Sequence, residues 1–334
     1  MIRVLQLGNY GEDGGGISAV LKEYSRWTWA NSHHRFVDTY ASDPRLLGLL
    51  RLRAASAEVW RSRREVDVVH VHLSQRGSFV REGMLVRLAA RLGIPVVVTI
   101  HGSSFTAFAA RRPALVKSTL ARADAVAVLT SQTERAVTAL GVENVVRVPN
   151  GVSFPQQTDP SGARHGVVFA GEVSRRKGAD VLAGAWPSVS EAVPAARLDV
   201  YGHPTDVSFP VLPGVTVHGR RPREEVRQAV GRCSVLVLPS RAEAFPMSIL
   251  EAMAAAAAVV STDVGAIPEM MDDPAQIVRA GDEVGLRDAL IRLLRDPSIA
   301  AATGQRNRER FENEFAPDVV SGRYEDIYSA VLSQ

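Results

Sequence analysis

The chain has 334 residues, enough for two domains that each bury a core. Its hydrophobic share of 46% and charged share of 22% exclude a disordered or fibrous protein, and no apolar run reaches the ~20 residues that span a bilayer. The single cysteine, Cys233, excludes an internal disulfide and reads as core, and the opening MIRVLQLG enters a strand without a secretory signal, so a cytoplasmic setting is expected.

The net charge of +3 divides unevenly. Residues 1–157 hold 20 Lys and Arg against 12 Asp and Glu, a balance of +8, which leaves −5 for the remainder. A basic first half points to a negatively charged neighbour, either an anionic lipid surface or an acidic acceptor. Arg45, Arg51, Arg53, Arg61, Arg63 and Arg64 interleave with Leu47, Leu49, Leu50, Leu52 and Trp60. That pattern is either a membrane-touching amphipathic helix or a solvated helix face.

Taken in order, short apolar runs alternate with segments of helical spacing. Strands are expected at 2–7, 35–39, 66–72, 95–100, 125–129 and 145–148, with helices at 17–27, 78–92, 113–123 and 132–140. The Pro, Gly and Ser-rich stretch 149–164 reads as a linker. The pattern then restarts, with strands at 166–170, 196–201, 215–217, 234–238 and 257–261 and helices at 179–189, 223–231 and 248–256. Three further helices are expected at 283–294, 298–311 and 317–332. Buried strands with helical crossovers imply an α/β protein of two doubly wound parallel sheets, a first domain over 1–155 and a second over 164–316, with a cleft between them. No short-period repeat and no nucleic-acid motif is present.

The loops at strand ends carry the chemistry. After the first strand, Gly14, Gly15 and Gly16 precede a helix, where bare backbone admits either a ligand or nothing but a flexible turn; the spacing is not that of a dinucleotide fingerprint. In GEVSRRKG, Arg175, Arg176 and Lys177 stand before a helix, as a surface turn or as cations for a diphosphate. No D-x-D pair and no zinc spacing occurs, so a metal-free diphosphate site is the simpler expectation. His101 ends a strand and is read as a contact to a reacting sugar or acceptor, whereas His70 and His72 are read as structural. In PSRAEAFPMSILEAMAAAAA, Glu243 sits on a loop and Glu251 on the following helix, a pair that alone would suggest a general acid and base.

Together GGGIS, DVVHVH, TIHG, VPNGV, GEVSRRKG, the E-x7-E segment RAEAFPMSILEAMA and STDVGAIPE resemble, in order, the family 4 retaining glycosyltransferases of the GT-B fold. The resemblance implies two Rossmann-like domains facing a central cleft: an acceptor-binding domain, a nucleotide-sugar domain, and a last helix, about 317–334, that crosses back to the first. It implies that Glu243 holds donor-sugar hydroxyls and that Lys177 binds the diphosphate, with Arg176 or Arg175 standing in for the family arginine that Glu172 replaces, unless the donor sits differently. Ala244, Phe245, Pro246, Met247 and Ser248 would line sugar and phosphate, Glu251 would accept from the ribose, and Gly15 and Gly16 would approach the donor. His101, Glu243 and Lys177 become the catalytic candidates, and both glutamates are expected to be tolerated in the cleft because a hydroxyl-rich ligand satisfies them.

The implied activity is a retaining, metal-independent transfer from a nucleotide diphosphate sugar to a hydroxyl acceptor, lipid-linked or a polysaccharide precursor, with no cofactor. The arginine cluster, with the single cysteine and the N-terminus, sets the expectation of a cytoplasmic protein, peripheral at the inner face of the cell membrane. A nucleotide-sugar epimerase of the same fold and a catalytically silent partner remain alternatives. Glu172, Ala244, Ala256 and Ala258 depart from the family pattern, which has Arg at the first of these positions and Gly or Pro at the others.

Overall fold

The computed structural model describes residues 1–11, 15–39, 46–154 and 166–333; Gly14, Arg45 and residues 155–164 of the expected linker lie outside them. The chain forms two compact units, Met1–Ser153 with Ala316–Gln334, and Phe154–Phe315.

The first unit runs β1 (Ile2–Gly8), α1 (Gly15–Tyr24), β2 (Ser32–Asp38), α2 (Leu46–Ser62), β3 (Val68–Leu73), α3 (Gly77–Arg91), β4 (Val96–Ile100), α4 (Phe105–Arg111), α5 (Pro113–Leu120), β5 (Ala125–Val128), α6 (Ser131–Thr138) and β6 (Val145–Arg147). Its sheet is parallel throughout, in the order β2-β1-β3-β4-β5-β6. Fully buried strands such as VVHVHL and VVVTI explain the near-continuous apolar runs, because helices cover both faces.

The second unit runs β7 (Val167–Ala170), α7 (Ala179–Ala192), β8 (Leu198–Tyr201), β9 (Val215–Gly219), α8 (Arg223–Arg232), β10 (Val235–Leu238), α9 (Met247–Ala254), β11 (Ala258–Thr262), α10 (Ile267–Met270), β12 (Ile277–Val278), α11 (Glu283–Arg295) and α12 (Pro297–Glu314). Its parallel sheet has the order β12-β11-β10-β7-β8-β9. The strand order reverses between β7 and β10, the switch point at whose carboxyl ends open α/β sheets bind ligands. Cys233 follows α8, buried, with its thiol directed to the Val230 carbonyl.

The last helix, α13 (Pro317–Leu332), belongs to the first unit. Its Tyr324 and Tyr328 are fully buried, and Glu325 accepts hydrogen bonds from the Asn31 amide and the Ser32 hydroxyl, each at 2.7 Å.

Three local differences from expectation have physical causes. Helix α4 lies where a loop was expected; it stops at Arg112, whose extended φ of −136° suits the position before Pro113, and the proline then starts α5. Strand β12 is only two residues long and pairs with β11 alone. Helix α9 ends at Ala254 rather than running to 256, because Ala256 takes a left-handed φ of 53° that turns the chain into β11.

Candidate active site

Lys177 and Glu243 come from loops on either side of the β7/β10 reversal. In the loop after β7, the Ser174 carbonyl accepts from the amides of both Lys177 and Ala179 at 3.1 Å, closing a tight turn. Gly178 follows at φ 72°, and a Cβ there would overlap the carbonyl oxygen of Pro239, so only glycine lets this turn seat on the loop after β10. The Arg241 amide donates to the Arg176 carbonyl at 2.8 Å and locks the two loops together. The Lys177 ammonium is thereby held 2.6 Å from Glu243 Oε1, which also accepts from Ser240 Oγ at 2.7 Å. Glu243 is 9% exposed, so this charge-assisted contact lies largely out of water.

The neighbouring cations are already engaged. Arg176 lies 3.5 Å from Glu172, and Arg175 lies 3.7 Å from Asp180, which Arg241 grips with two bonds of 2.7 and 2.9 Å. Glu172, standing where the resemblance has arginine, thus offsets the charge of the residue that would replace it.

The segment after Glu243 is fixed by the loop after β11. The Ala266 amide donates to the Ala244 carbonyl at 3.0 Å, and Gly265, at φ 59°, packs so closely that a Cβ would overlap the Glu243 carbonyl. Phe245 meets Phe315 edge-on at 5.9 Å, and Pro246 precedes α9. Met247 and Ser248 occupy the first turn of α9, where helix amides lack intrahelical acceptors and favour an anion.

Glu251, 7% exposed on α9, faces Arg223 Nη2 at 3.3 Å and Arg227 Nε at 4.0 Å, both from α8. This corrects the expectation that a ligand alone makes the two glutamates tolerable. The protein supplies a cation to each of them, as a buried carboxylate requires. Ser240, Arg223 and Arg227 escaped sequence reasoning, since only the third dimension brings them to the glutamates.

In the first unit His101 follows β4 and is nearly buried. Burial lowers its pKa to about 3, leaving the ring neutral at ordinary pH. Its Nε2 lies 2.9 Å from His72 Nδ1, and His72 Nε2 lies 2.7 Å from Gln6 Oε1. The Gln6 carbonyl oxygen only accepts, so His72 carries its proton on Nε2, His101 donates from Nε2 to His72, and His101 Nδ1 keeps a lone pair. The Gln6 amide donates to His34 Nδ1 at 2.9 Å and to Tyr328 at 3.2 Å, and His70 bridges Tyr328 and Thr99 with contacts of 2.7 Å. His70 and His72 are both fully buried and hydrogen-bonded, and His72, bonded to Gln6, fixes the tautomer of His101. Gly15 and Gly16 open α1, and a Cβ at Gly16 would meet nothing within 4 Å, so no packing demands glycine there.

Two family descriptions match this chain: a glycosyl transferase 4-like domain over residues 16–151 and glycosyl transferases group 1 over residues 164–296. The chain belongs to the family 4-like glycosyltransferases of group 1. This glycosyltransferase is 32% identical over 112 residues to N-acetyl-alpha-D-glucosaminyl L-malate synthase of Bacillus anthracis, covering 33% of this chain and 29% of that protein. It is 31% identical over 192 residues to alpha-maltose-1-phosphate synthase of Mycobacterium tuberculosis, covering 50% of this chain and 48% of that protein. The glycosyltransferase therefore aligns with less than half the length of these curated relatives. Its fold is that of GT-B proteins such as Anabaena HepE, solved with UDP and glucose, at a TM-score of 0.73 and 15% identity over 99% of this chain and 100% of that one.

Proposed function

We propose that this chain transfers a sugar, with retention and without a metal ion, from a nucleoside diphosphate sugar to a hydroxyl acceptor. The contact between Lys177 and Glu243 carries the reading, because it holds a cation and a carboxylate together at the β7/β10 switch point, which suits a diphosphate beside a sugar. A bound diphosphate takes the Lys177 ammonium, assisted by Arg176 and the α9 amides at Met247 and Ser248. Glu243 then turns its acceptor capacity to the sugar hydroxyls, beside Ala244, Phe245 and Pro246. Glu251, oriented by Arg223 and Arg227, accepts from the ribose hydroxyls.

In the transfer step the bond from the anomeric carbon to the β-phosphate oxygen breaks, and a bond from that carbon to the acceptor oxygen forms on the same face. The acceptor proton passes to the departing phosphate oxygen, whose charge Lys177 offsets. His101 offers its Nδ1 lone pair to a substrate hydroxyl, and bare backbone at Gly15 and Gly16 lets the donor approach. The synthase names of the relatives and the UDP and glucose held by HepE support this reading.

The reading extends to a peripheral position on an anionic cytoplasmic membrane face. No helix among the described residues is long and apolar enough to cross a membrane. On α2, however, Leu49, Leu50 and Trp60 are exposed beside Arg51, Arg53 and Arg61, which suits an anionic surface.

The direct experiment incubates the protein with uridine, guanosine, adenosine and thymidine diphosphate sugars plus a hydroxyl acceptor, in excess EDTA. Release of the nucleoside diphosphate with an axial-to-axial or equatorial-to-equatorial anomeric product is expected. Inverted product, or activity restored only by a divalent ion, contradicts the mechanism; epimerised donor without nucleotide release replaces transfer with epimerisation.

A further inference from the structure

The first unit contains a pocket of about 720 Å³ that none of the donor chemistry uses. It is bounded by the turn after β3, by α4 and by the start of α5. Its walls divide sharply by character. Val80, Phe108 and Leu115 are apolar, whereas Arg76, Arg111 and Arg112 bring three guanidinium groups and no carboxylate belongs to the lining.

The three arginines are exposed and left unneutralised. Among the described residues, no ion pair engages the side chains of Arg76, Arg111 or Arg112, whereas Arg3, Arg35, Arg81, Arg147, Arg241 and Arg306 each have a carboxylate partner. Arg76 takes φ 56° and ψ −126°, a costly backbone conformation for a residue with a Cβ, and such strain collects at ligand sites. Arg111 closes α4 and Arg112 bridges to α5, so the break between the helices points two adjacent cations at one space.

The apolar wall is equally specific. Phe79 and Phe105 are fully buried, and half-buried Phe108 packs on them at 5.3 and 6.5 Å, leaving its other side to the pocket. Val80 and, one helical turn on, Met84 are exposed along α3 and continue the apolar strip. At the opposite side Gln75 lines the pocket and lies against Gly102, the neighbour of His101.

We propose that this pocket binds an anionic amphiphile, with a phosphate on Arg76, Arg111 and Arg112 and the start of a hydrocarbon chain on Val80, Phe108 and Leu115. Guanidinium forks match phosphate oxygens, the apolar wall matches the chain, and the volume lies in the range of small-ligand sites. As the acceptor's anchor, this group holds its hydroxyl head toward Gln75 and His101. That acceptor role rests on the glycosyltransferase reading; the binding does not.

The test is calorimetry on the full chain with dodecyl phosphate below its micellar concentration, inorganic phosphate and dodecyl maltoside, each sample also titrated with nucleoside diphosphates. Dodecyl phosphate should bind roughly tenfold or more tightly than either control ligand. Arg111→Ala with Arg112→Ala, and separately Phe108→Ala, should each weaken it severalfold, Arg111→Lys with Arg112→Lys should weaken it less, and Arg91→Ala with Arg122→Ala should leave it unchanged. Melting temperatures show that the variants fold. Equal binding by wild type and the Arg111/Arg112 alanine variant overturns the proposal, as does phosphate alone or maltoside alone binding as well as dodecyl phosphate. Dodecyl phosphate binding without any nucleoside diphosphate binding keeps this site but removes the transferase reading; the reverse result removes only this site.

Discussion

His72 Nδ1 and His101 Nε2 stand 2.9 Å apart at the end of a buried polar chain that reaches α13. Burial lowers the pKa values of His34 and His101 to about 3 and those of His70 and His72 well below the ordinary value. Tyr324 and Tyr328 line the same chain as neutral phenols, and Glu325 reaches His34 through the Ser32 hydroxyl, so among the described contacts no carboxylate bonds directly to these rings to reverse the effect.

Acid should therefore destabilise the first unit. Below about pH 6.5 the unfolded histidines take up protons that the folded ones refuse, so stability is present above that pH and is lost as pH falls toward 3. The slope approaches about 1.4 kcal/mol per pH unit for each histidine only well below pH 6.5, so each removes on the order of 1 kcal/mol between pH 7.5 and 5.5, and the four together several kcal/mol. Urea unfolding at pH 7.5 and 5.5 checks this; equal midpoints would mean that the histidines titrate normally.

Ala256 turns the chain with φ 53° at the end of α9, its amide bonded to the Met253 carbonyl and the next amide to Ala252. This is a glycine's position, and alanine there costs about 1 kcal/mol. Ala256→Gly should raise the melting temperature by a few degrees. Gly304→Ala should lower it, because the added methyl overlaps the Ala256 carbonyl. A lower melting temperature for Ala256→Gly would contradict the left-handed turn.

Glu172 and Arg176, 3.5 Å apart and substantially exposed, contribute little to stability as a pair. Their effect should appear in ligand binding instead. Glu172→Ala frees Arg176 and should tighten nucleoside diphosphate binding severalfold with an unchanged melting temperature. Weaker binding would show that Glu172 itself serves the ligand.

The exposed Leu49, Leu50 and Trp60 of α2 should carry the protein onto anionic vesicles. Trp60→Ala with Leu49→Ala should reduce co-sedimentation severalfold, and raised salt should reduce it further. Equal binding to neutral and anionic vesicles would remove the electrostatic part.

Much of the fold was legible because buried parallel strands announce themselves: VVHVHL and VLVL need no partner to be recognised. What stayed hidden depended on distance in sequence or on competition between local preferences. Lys177 and Glu243 are 66 residues apart, and their contact requires β7 and β10 to be neighbours. The run of alanines through Ala256 favours helix, yet packing of its carbonyl on Gly304 and the start of β11 end the helix early. The period-two spacing of His70 and His72 put both on one face, but Gln6, Thr99 and Tyr328, which satisfy them, come from other elements. Helix α4 was missed because Pro113 offered a stronger start signal just beyond it.

The most direct test of the account is calorimetric binding of nucleoside diphosphate and of the bare nucleoside to wild type and Lys177→Ala, in EDTA. If Lys177 holds the diphosphate, the variant loses roughly tenfold or more in diphosphate affinity, about 1.4 kcal/mol, while nucleoside binding is unchanged. Equal diphosphate affinity in wild type and variant would contradict the donor site described by Lys177 and Glu243.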